Sequence, residues 1–252
     1  MATPQQAITN ALAETVPLAV WPCAQTTGFQ RYVSESIRHP GKMLPELARR
    51  IVLAYSQPRD LIVDPMCGVG TTLVEAAALD RRCIGIELED RWVGVAQANL
   101  RNALTPRQRR LADARQGDAR LLSKLLRGLR GRVGLVVLSP PYACTAMAEV
   151  YEQSRTMLRA GGLLVAVTKN MRRGGRLLDL ASITIDAARS AGLGYLQHNI
   201  ALHAALRDGE PVSRPSFWQL SQTHRARAAG LPLHLVAHED VLVFIKEAAR
   251  HG

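Results

Sequence analysis

Short runs of aliphatic and β-branched residues alternate along this chain with segments whose apolar residues recur at helical spacing, several of them ending in glycine, and few folds accept that pattern. Strands are predicted at 60–64, 83–87, 135–138, 163–168, 195–202 and 241–246, with a weaker one at 112–116. Helices are predicted at 44–56, 72–79, 90–103, 119–130, 149–159 and 177–190. Repeated β-α units imply an α/β protein with a Rossmann-like, doubly wound, mostly parallel sheet of seven strands and helices on both faces. The last two strands are joined by a polar, proline-containing stretch instead of a crossover helix, so an antiparallel terminal strand is expected.

Residues 1–37 show no clear period and read as an N-terminal arm, and 204–239 read as an insert carrying a helix at 217–229. With no linker, repeat or low-complexity tract, one domain over 1–252 is the simplest organisation. Hydrophobic residues make up 47% of the chain, enough for a sizeable core, and the formal net charge of +11 points to a polyanionic partner. No apolar run approaches a membrane span and the first residues do not read as a signal peptide, so a cytoplasmic location and no membrane partner are expected. Cysteines 23, 67, 83 and 144 form no C-x-x-C pair, which signals neither a disulfide framework nor a metal site. Oligomeric state, monomer or homodimer, is open at this point.

The predicted strand at 60–64 runs into Asp64-Pro65-Met66-Cys67-Gly68-Val69-Gly70-Thr71-Thr72. Glycines there let backbone approach a ligand and adopt positive φ, and Thr72-x-x-Glu75 reads as a capping box opening the next helix. Glu87 ends the second strand, placed to accept hydrogen bonds from ribose hydroxyls at the carboxyl edge of such a sheet. Position 73 is Leu where a dinucleotide fingerprint needs its third glycine, and no P-loop lysine follows. A nucleoside cofactor without a pyrophosphate, S-adenosylmethionine above all, suits what remains. A tight strand-to-helix turn without a ligand is the plain alternative.

After the fourth strand stands Ser139-Pro140-Pro141-Tyr142, whose prolines hold a hydroxyl, a carbonyl and a ring in one arrangement. This tetrapeptide, the Asp64-to-Gly70 loop and the segment His39-Pro40-Gly41-Lys42-Met43-Leu44-Pro45-Glu46-Leu47 together resemble the S-adenosylmethionine-dependent DNA amino-methyltransferases, in their SPPY form. Related tetrapeptides also serve enzymes that methylate exocyclic amines of RNA bases and the amide of protein glutamine. The resemblance implies a methyltransferase fold, S-adenosylmethionine as cofactor and DNA, or RNA, as partner. It implies that Asp64, Cys67, Gly68 and Gly70 surround the methionyl part, flanked by Pro65, Met66 and Thr71. It also implies that His39, Pro40 and Lys42 help seat that end, and that Glu87 holds the ribose beside Leu88. Asp118 would take the adenine amine beside Ala119, with a helix N-cap as its plain alternative. Ser139, Pro140, Pro141 and Tyr142 would form the catalytic set: hydroxyl and carbonyl hold the target amine, and the ring stacks on the base.

Serine at the head of the tetrapeptide commonly accompanies cytosine N4 chemistry in this family, so N4-methylcytosine in DNA is the expected product, with adenine N6 or an RNA base as alternatives. Lys169, Arg172, Arg173 and Arg176 after the fifth strand, with Arg214 in the insert, suit a phosphate backbone. Phe217 and Trp218 read as anchors of the insert helix more readily than as base-stacking rings. The ten basic residues between 101 and 132 carry no assignment, and neither does the existence of a restriction partner.

Overall fold

The structure, a computed structural model, describes residues 16–24, 28–140, 147–173, 175–213 and 217–248. The main strands in chain order are β1 (Val20–Pro22), β2 (Leu61–Asp64), β3 (Arg82–Glu87), β4 (Ala112–Gln116), β5 (Val133–Leu138) and β6 (Leu158–Thr168). Two small hairpins, β7 (Met171–Arg173) with β8 (Arg176–Leu178) and β10 (Ala204–Arg207) with β11 (Glu210–Ser213), bracket β9 (Gly194–Leu202), and β12 (His238–Ile245) ends the series. The helices are α1 (Pro45–Tyr55), α2 (Thr71–Ala78), α3 (Asp90–Ala103), α4 (Pro106–Arg109), α5 (Leu122–Leu125), α6 (Met147–Met157), α7 (Leu180–Ser190) and α8 (Phe217–Ala228).

One eight-stranded sheet carries the fold, in the order β1-β9-β12-β6-β5-β2-β3-β4. Its strands from β2 to β6 pair in parallel, and β12 is antiparallel to both neighbours, as the broken alternation implies. Alternate residues of each strand feed different cores. Ile62, Leu135, Val137, Val165, Val167, Val241 and Val243 pack with α1, α2 and α3. Val63, Val136, Leu138, Leu164, Ala166, Leu242 and Phe244 pack with α5, α6 and α7. Burial on both faces explains why these strands read as continuous apolar runs. From β2 the chain builds outward to β3 and β4 on one side, and to β5 and β6 on the other. That reversal opens a crevice at the carboxyl ends of β2 and β5.

Several expectations are corrected. The arm holds an eighth strand, β1, which pairs in parallel with β9 and buries Trp21 and Cys23 in the α1 core. It is too short to show a period. The expected helix at 119–130 is a broken run of 3-10 turns around α5, where Gly128 interrupts the pattern. The stretch 169–176 is not a plain loop, since β7 and β8 form a hairpin with Gly175 at φ 77°, and this takes Leu177 and Leu178 out of the expected helix. The expected helix at 149–159 begins two residues earlier and gives way to β6 at Leu158.

Candidate active site

β2 ends at Asp64 and the chain turns through Pro65 to Gly70 before α2. Gly68 and Gly70 have φ of 51° and 79°, a left-handed conformation that disfavours any side chain. Both are also crowded, since a Cβ on Gly68 would stand 3.0 Å from His39 Nε2 and one on Gly70 3.0 Å from Ala96 Cβ. The capping-box reading is corrected: Gly70 is the N-cap, Thr72 lies inside the helix, and its hydroxyl bonds to the Asp64 carboxylate. Glu75 turns away from the helix start to take Arg31 at 2.6 Å and the Tyr32 hydroxyl at 3.1 Å.

The loop is fixed by its neighbours. Cys67 N–H donates to the Ile86 carbonyl (2.9 Å), Met66 N–H to Asp64 Oδ1 (3.0 Å) and Gly68 N–H to Glu87 Oε2 (2.9 Å). Glu87 Oε1 accepts from Glu89 N–H at 2.9 Å, so this carboxylate braces the loop as well as facing the cavity. Asn99 on α3, fully buried, donates to the Val69 carbonyl (2.8 Å) and accepts from Val33 N–H (2.8 Å). It also exchanges bonds with Ser36 Oγ, tying the N-terminal segment to the glycine loop. Sequence reasoning missed Asn99, because one polar residue on an amphipathic helix carries no signal of what it faces. It missed Gly85 too, where a Cβ would stand 2.6 Å from Cys67 Sγ and 2.7 Å from Leu73 Cδ1.

These elements surround a cavity of about 550 Å³. Its lining brings together His39, Pro40 and Lys42, the loop residues Asp64, Pro65, Met66, Cys67, Gly68 and Thr71, and Glu87, Leu88, Asp118 and Ala119 with Ser139 and Pro140. Gly70 sits behind the loop against Ala96 instead of on the lining. Pro141, Tyr142 and Arg214 lie outside the described residues. Trp92 and Glu239, which the sequence reading did not single out, also border the cavity. His39 stands edge-on to the Trp92 ring at 4.7 Å and accepts from Gly41 N–H through Nδ1, so its neutral ring carries the proton on Nε2. Burial pushes its pKa down and keeps it neutral.

Burial raises the Asp64 carboxyl to about 7, against the hydrogen bonds from Thr72 and Met66. Burial also pushes the Cys67 thiol well up, which leaves it an uncharged wall packed on Gly85. Asp118 does cap a short helix, through Arg120 N–H at 2.9 Å, and the Arg120 side chain grips the same carboxylate and holds its pKa down. Arg172, Arg173 and Arg176 are exposed on the β7–β8 hairpin, and Lys169 is half-buried at its base. That hairpin follows β6, so it stands at the same sheet edge as Ser139. Side chains of Phe217 and Trp218 lie outside what is described, though α8 occupies the expected place. Among the described residues no group of His, Cys, Asp and Glu could hold a metal ion, and no helix is long and apolar enough to cross a membrane.

Residues 4–98 match the DNA methylase family of N6/N4 methyltransferases. A Type II methyltransferase, M.HinfI, of Haemophilus influenzae is 36% identical over 85 residues, which is 33% of this chain and 24% of that relative. A tRNA (guanine(10)-N2)-dimethyltransferase of Methanothermobacter thermautotrophicus is 32% identical over 150 residues, 59% of this chain and 41% of that relative. The chain thus spans well under half the length of these curated relatives. Among solved structures, a precorrin-6y C5,15-methyltransferase from Geobacter metallireducens superposes with a TM-score of 0.57 at 12% identity, covering 90% of this chain and 99% of that one. TrmN from Thermus thermophilus does so with a TM-score of 0.53 at 16% identity, covering 82% and 50%, and both likenesses speak to fold alone. The glycine loop and Ser139-Pro140 thus border one cavity on a Rossmann-like methyltransferase fold, in a chain that is similar over residues 4–98 to the DNA methylase family.

Proposed function

We propose that this protein transfers a methyl group from S-adenosylmethionine to an exocyclic amine of a nucleic-acid base, with cytosine N4 in DNA as the leading target. The observation that carries the reading is the meeting of the glycine loop after β2 and Ser139-Pro140 after β5 in one cavity, at the point where the sheet order reverses. The residues present fit the cofactor. The cavity volume suits a nucleoside-sized ligand. Thr71 Oγ1 is buried in the lining with no hydrogen-bond partner, a donor that a bound carboxylate would satisfy. Asp64 suits the methionyl ammonium, and each Glu87 oxygen keeps a lone pair for a ribose hydroxyl beyond the backbone N–H it accepts. Asp118 and Leu88 suit the adenine edge and face.

S-adenosylmethionine supplies, when bound, an electrophilic methyl on a sulfonium sulfur. The Ser139 hydroxyl and Pro140 carbonyl accept from the two N–H bonds of the target amine, which favours a pyramidal nitrogen with its lone pair aimed along the line of attack. Holding reactants at such a distance can supply much of the rate. Arg172, Arg173 and Arg176 hold the phosphate backbone at the rim, and the 204–239 insert takes part in choosing the target.

A second reading, an RNA guanine N2 target, has one observation in its favour: the match to the tRNA methyltransferase above covers 150 residues, against 85 for the Type II relative. Incubating the protein with duplex DNA, tRNA and labelled cofactor, then digesting to nucleosides, separates the two. N4-methyldeoxycytidine supports the first reading and N2-methylguanosine the second. Label in neither polymer rejects both. A location in the cytoplasm belongs to the same proposal, while association with a restriction enzyme is not part of it.

A further inference from the structure

The adjacent strands β5, β2, β3 and β4 all start at the edge of the sheet opposite the cavity, and an arginine stands at or within two residues of each start. These are Arg132, Arg59, Arg82 and Arg110, all exposed. Arg110 and Arg132 belong to the basic run that the sequence left without a role. Arg81 shows what an arginine serving the fold looks like at this edge. It is buried and donates from Nε to Ser56 Oγ (3.1 Å), from Nη2 to the Ser56 carbonyl (2.7 Å) and from Nη1 to the Leu79 carbonyl (2.7 Å). Among the described residues no hydrogen bond or ion pair engages the guanidinium of Arg59, Arg82 or Arg110, and that of Arg132 reaches the Gly128 carbonyl at 3.5 Å.

Nearby carboxylates do not cancel this row. Asp60 accepts from Gln57 N–H (2.8 Å) and faces Arg159 at 3.8 Å, and Asp113 is paired with Arg115 at 2.6 Å, which leaves Asp80 against four arginines. Like charges so placed repel one another and cost the folded chain stability. The backbone beneath them is nevertheless fixed. Arg59 N–H donates to the Asp80 carbonyl and Arg82 N–H to the Asp60 carbonyl, both at 2.9 Å, while Arg81 ties the turn before β3 to Ser56 in the turn before β2. Three strand spacings carry the row across roughly 14 Å. One strand of a DNA duplex sets a phosphate roughly every 3.4 Å along the axis, or about four over that distance. A guanidinium meets each such phosphate with two parallel N–H donors.

The row is well separated from the cavity. Arg82 and Glu87 are the two ends of β3, roughly 17 Å apart, so a straight duplex lying across the cavity mouth does not reach the arginines. We propose that this edge is a second nucleic-acid surface, which grips the phosphate backbone of a DNA segment other than the one presented to the cavity. The choice of DNA as occupant rests on the nucleic-acid reading above. Four exposed cations on fixed turns, with no role in the fold, carry the inference.

Arg82→Gln/Arg110→Gln/Arg132→Gln keeps the side-chain stems and removes three charges. With a labelled duplex of about 14 base pairs in excess at low salt, sedimentation velocity is expected to show two duplexes on the wild type and one on this triple variant. Arg82→Lys/Arg110→Lys/Arg132→Lys is expected to restore the second duplex, since the charge returns. For that second binding step, the slope of log affinity against log salt is expected to owe about 2.7 to the three arginines. The single-turnover rate and the calorimetric affinity for sinefungin, a non-reactive cofactor analogue, are expected to stay within about twofold of wild type. Two duplexes on the glutamine variant, or one on the wild type, overturn the proposal. A second site that takes tRNA and refuses the duplex overturns the choice of DNA. A wild type that holds two duplexes yet labels no base in DNA or RNA overturns the methyl-transfer reading and leaves this surface in place.

Discussion

The glycine loop between β2 and α2 is held from several directions, whereas the arginine hairpin after β6 pairs chiefly with itself. On the loop, Met66, Cys67 and Gly68 donate to Asp64, Ile86 and Glu87, and Asn99 grips the Val69 carbonyl from beneath. On the hairpin, β7 and β8 form a separate two-stranded sheet, and Arg172 Nη1 donates to the carbonyl of Gly175 in its own turn. The β10–β11 hairpin is likewise a sheet of two. A cofactor has one fixed shape and rewards a preformed cradle, while a nucleic-acid backbone is met by long, exposed cations whose placement tolerates adjustment.

If the loop is preformed, its largest vulnerability is Asn99. Asn99→Ala leaves the part-buried Val33 N–H and the buried Val69 carbonyl without their partner, and the buried group alone costs about 1–3 kcal/mol. A lower melting temperature is expected together with weaker sinefungin binding by calorimetry. Asn99→Asp keeps the acceptor for Val33 and loses the donor to Val69, so it should retain more of the fold than of the affinity. Equal affinity in both variants and wild type would remove the bracing role.

Gly85 tests the same bracing by crowding. Gly85→Ala brings a methyl against Cys67 and Leu73 and should destabilise by about 1–3 kcal/mol in denaturant unfolding. Adding Cys67→Gly vacates the side chain it strikes, so the double variant should recover part of the cofactor affinity lost by the single one. Purely additive effects would mean that Leu73 alone takes the strain.

How much of this was legible without coordinates follows from what sequence signals carry. Strands β2, β5, β6 and β12 are buried on both faces and announce themselves as apolar runs. Gly68 and Gly70 stand where a strand-to-helix turn needs positive φ. Asn99 and Gly85 were not legible, since each matters through a partner far along the chain that no local pattern names. The Thr72-x-x-Glu75 box failed for the same reason. Arg31 and Tyr32, more than forty residues earlier, claim the Glu75 carboxylate.

Asp64 gives the comparison a pH axis. Its carboxyl titrates near 7 because of burial, above the ordinary carboxylate range near 4, so between about pH 4 and 7 the folded state binds the extra proton and stability falls as pH rises. Binding of the cofactor ammonium runs the other way, because it needs the ionised form. Sinefungin affinity should therefore drop up to tenfold per pH unit below about 7 and level off above it. Asp64→Asn should bind weakly with no slope in that window. A wild-type affinity that stays flat from pH 5.5 to about 8 would separate Asp64 from the ammonium.

The smallest effect belongs to the self-paired side. Arg172 and Arg173 are exposed, and among the described residues a turn carbonyl engages the Arg172 guanidinium, so replacing both with Ala should leave the core, the glycine loop and sinefungin affinity unchanged. What changes is the electrostatic part of nucleic-acid binding. Each phosphate that an arginine no longer neutralises should lower the slope of log affinity against log salt by about 0.9 on duplex DNA, and by about 0.7 on a single strand. If both arginines reach phosphate on a duplex, the slope therefore flattens by about 1.8, read by fluorescence anisotropy across a salt series. A drop close to 1 would mean that one arginine reaches phosphate while the other serves the hairpin turn. An unaltered slope would show that the hairpin points away from the bound strand, leaving Lys169 and the 204–239 insert to hold it.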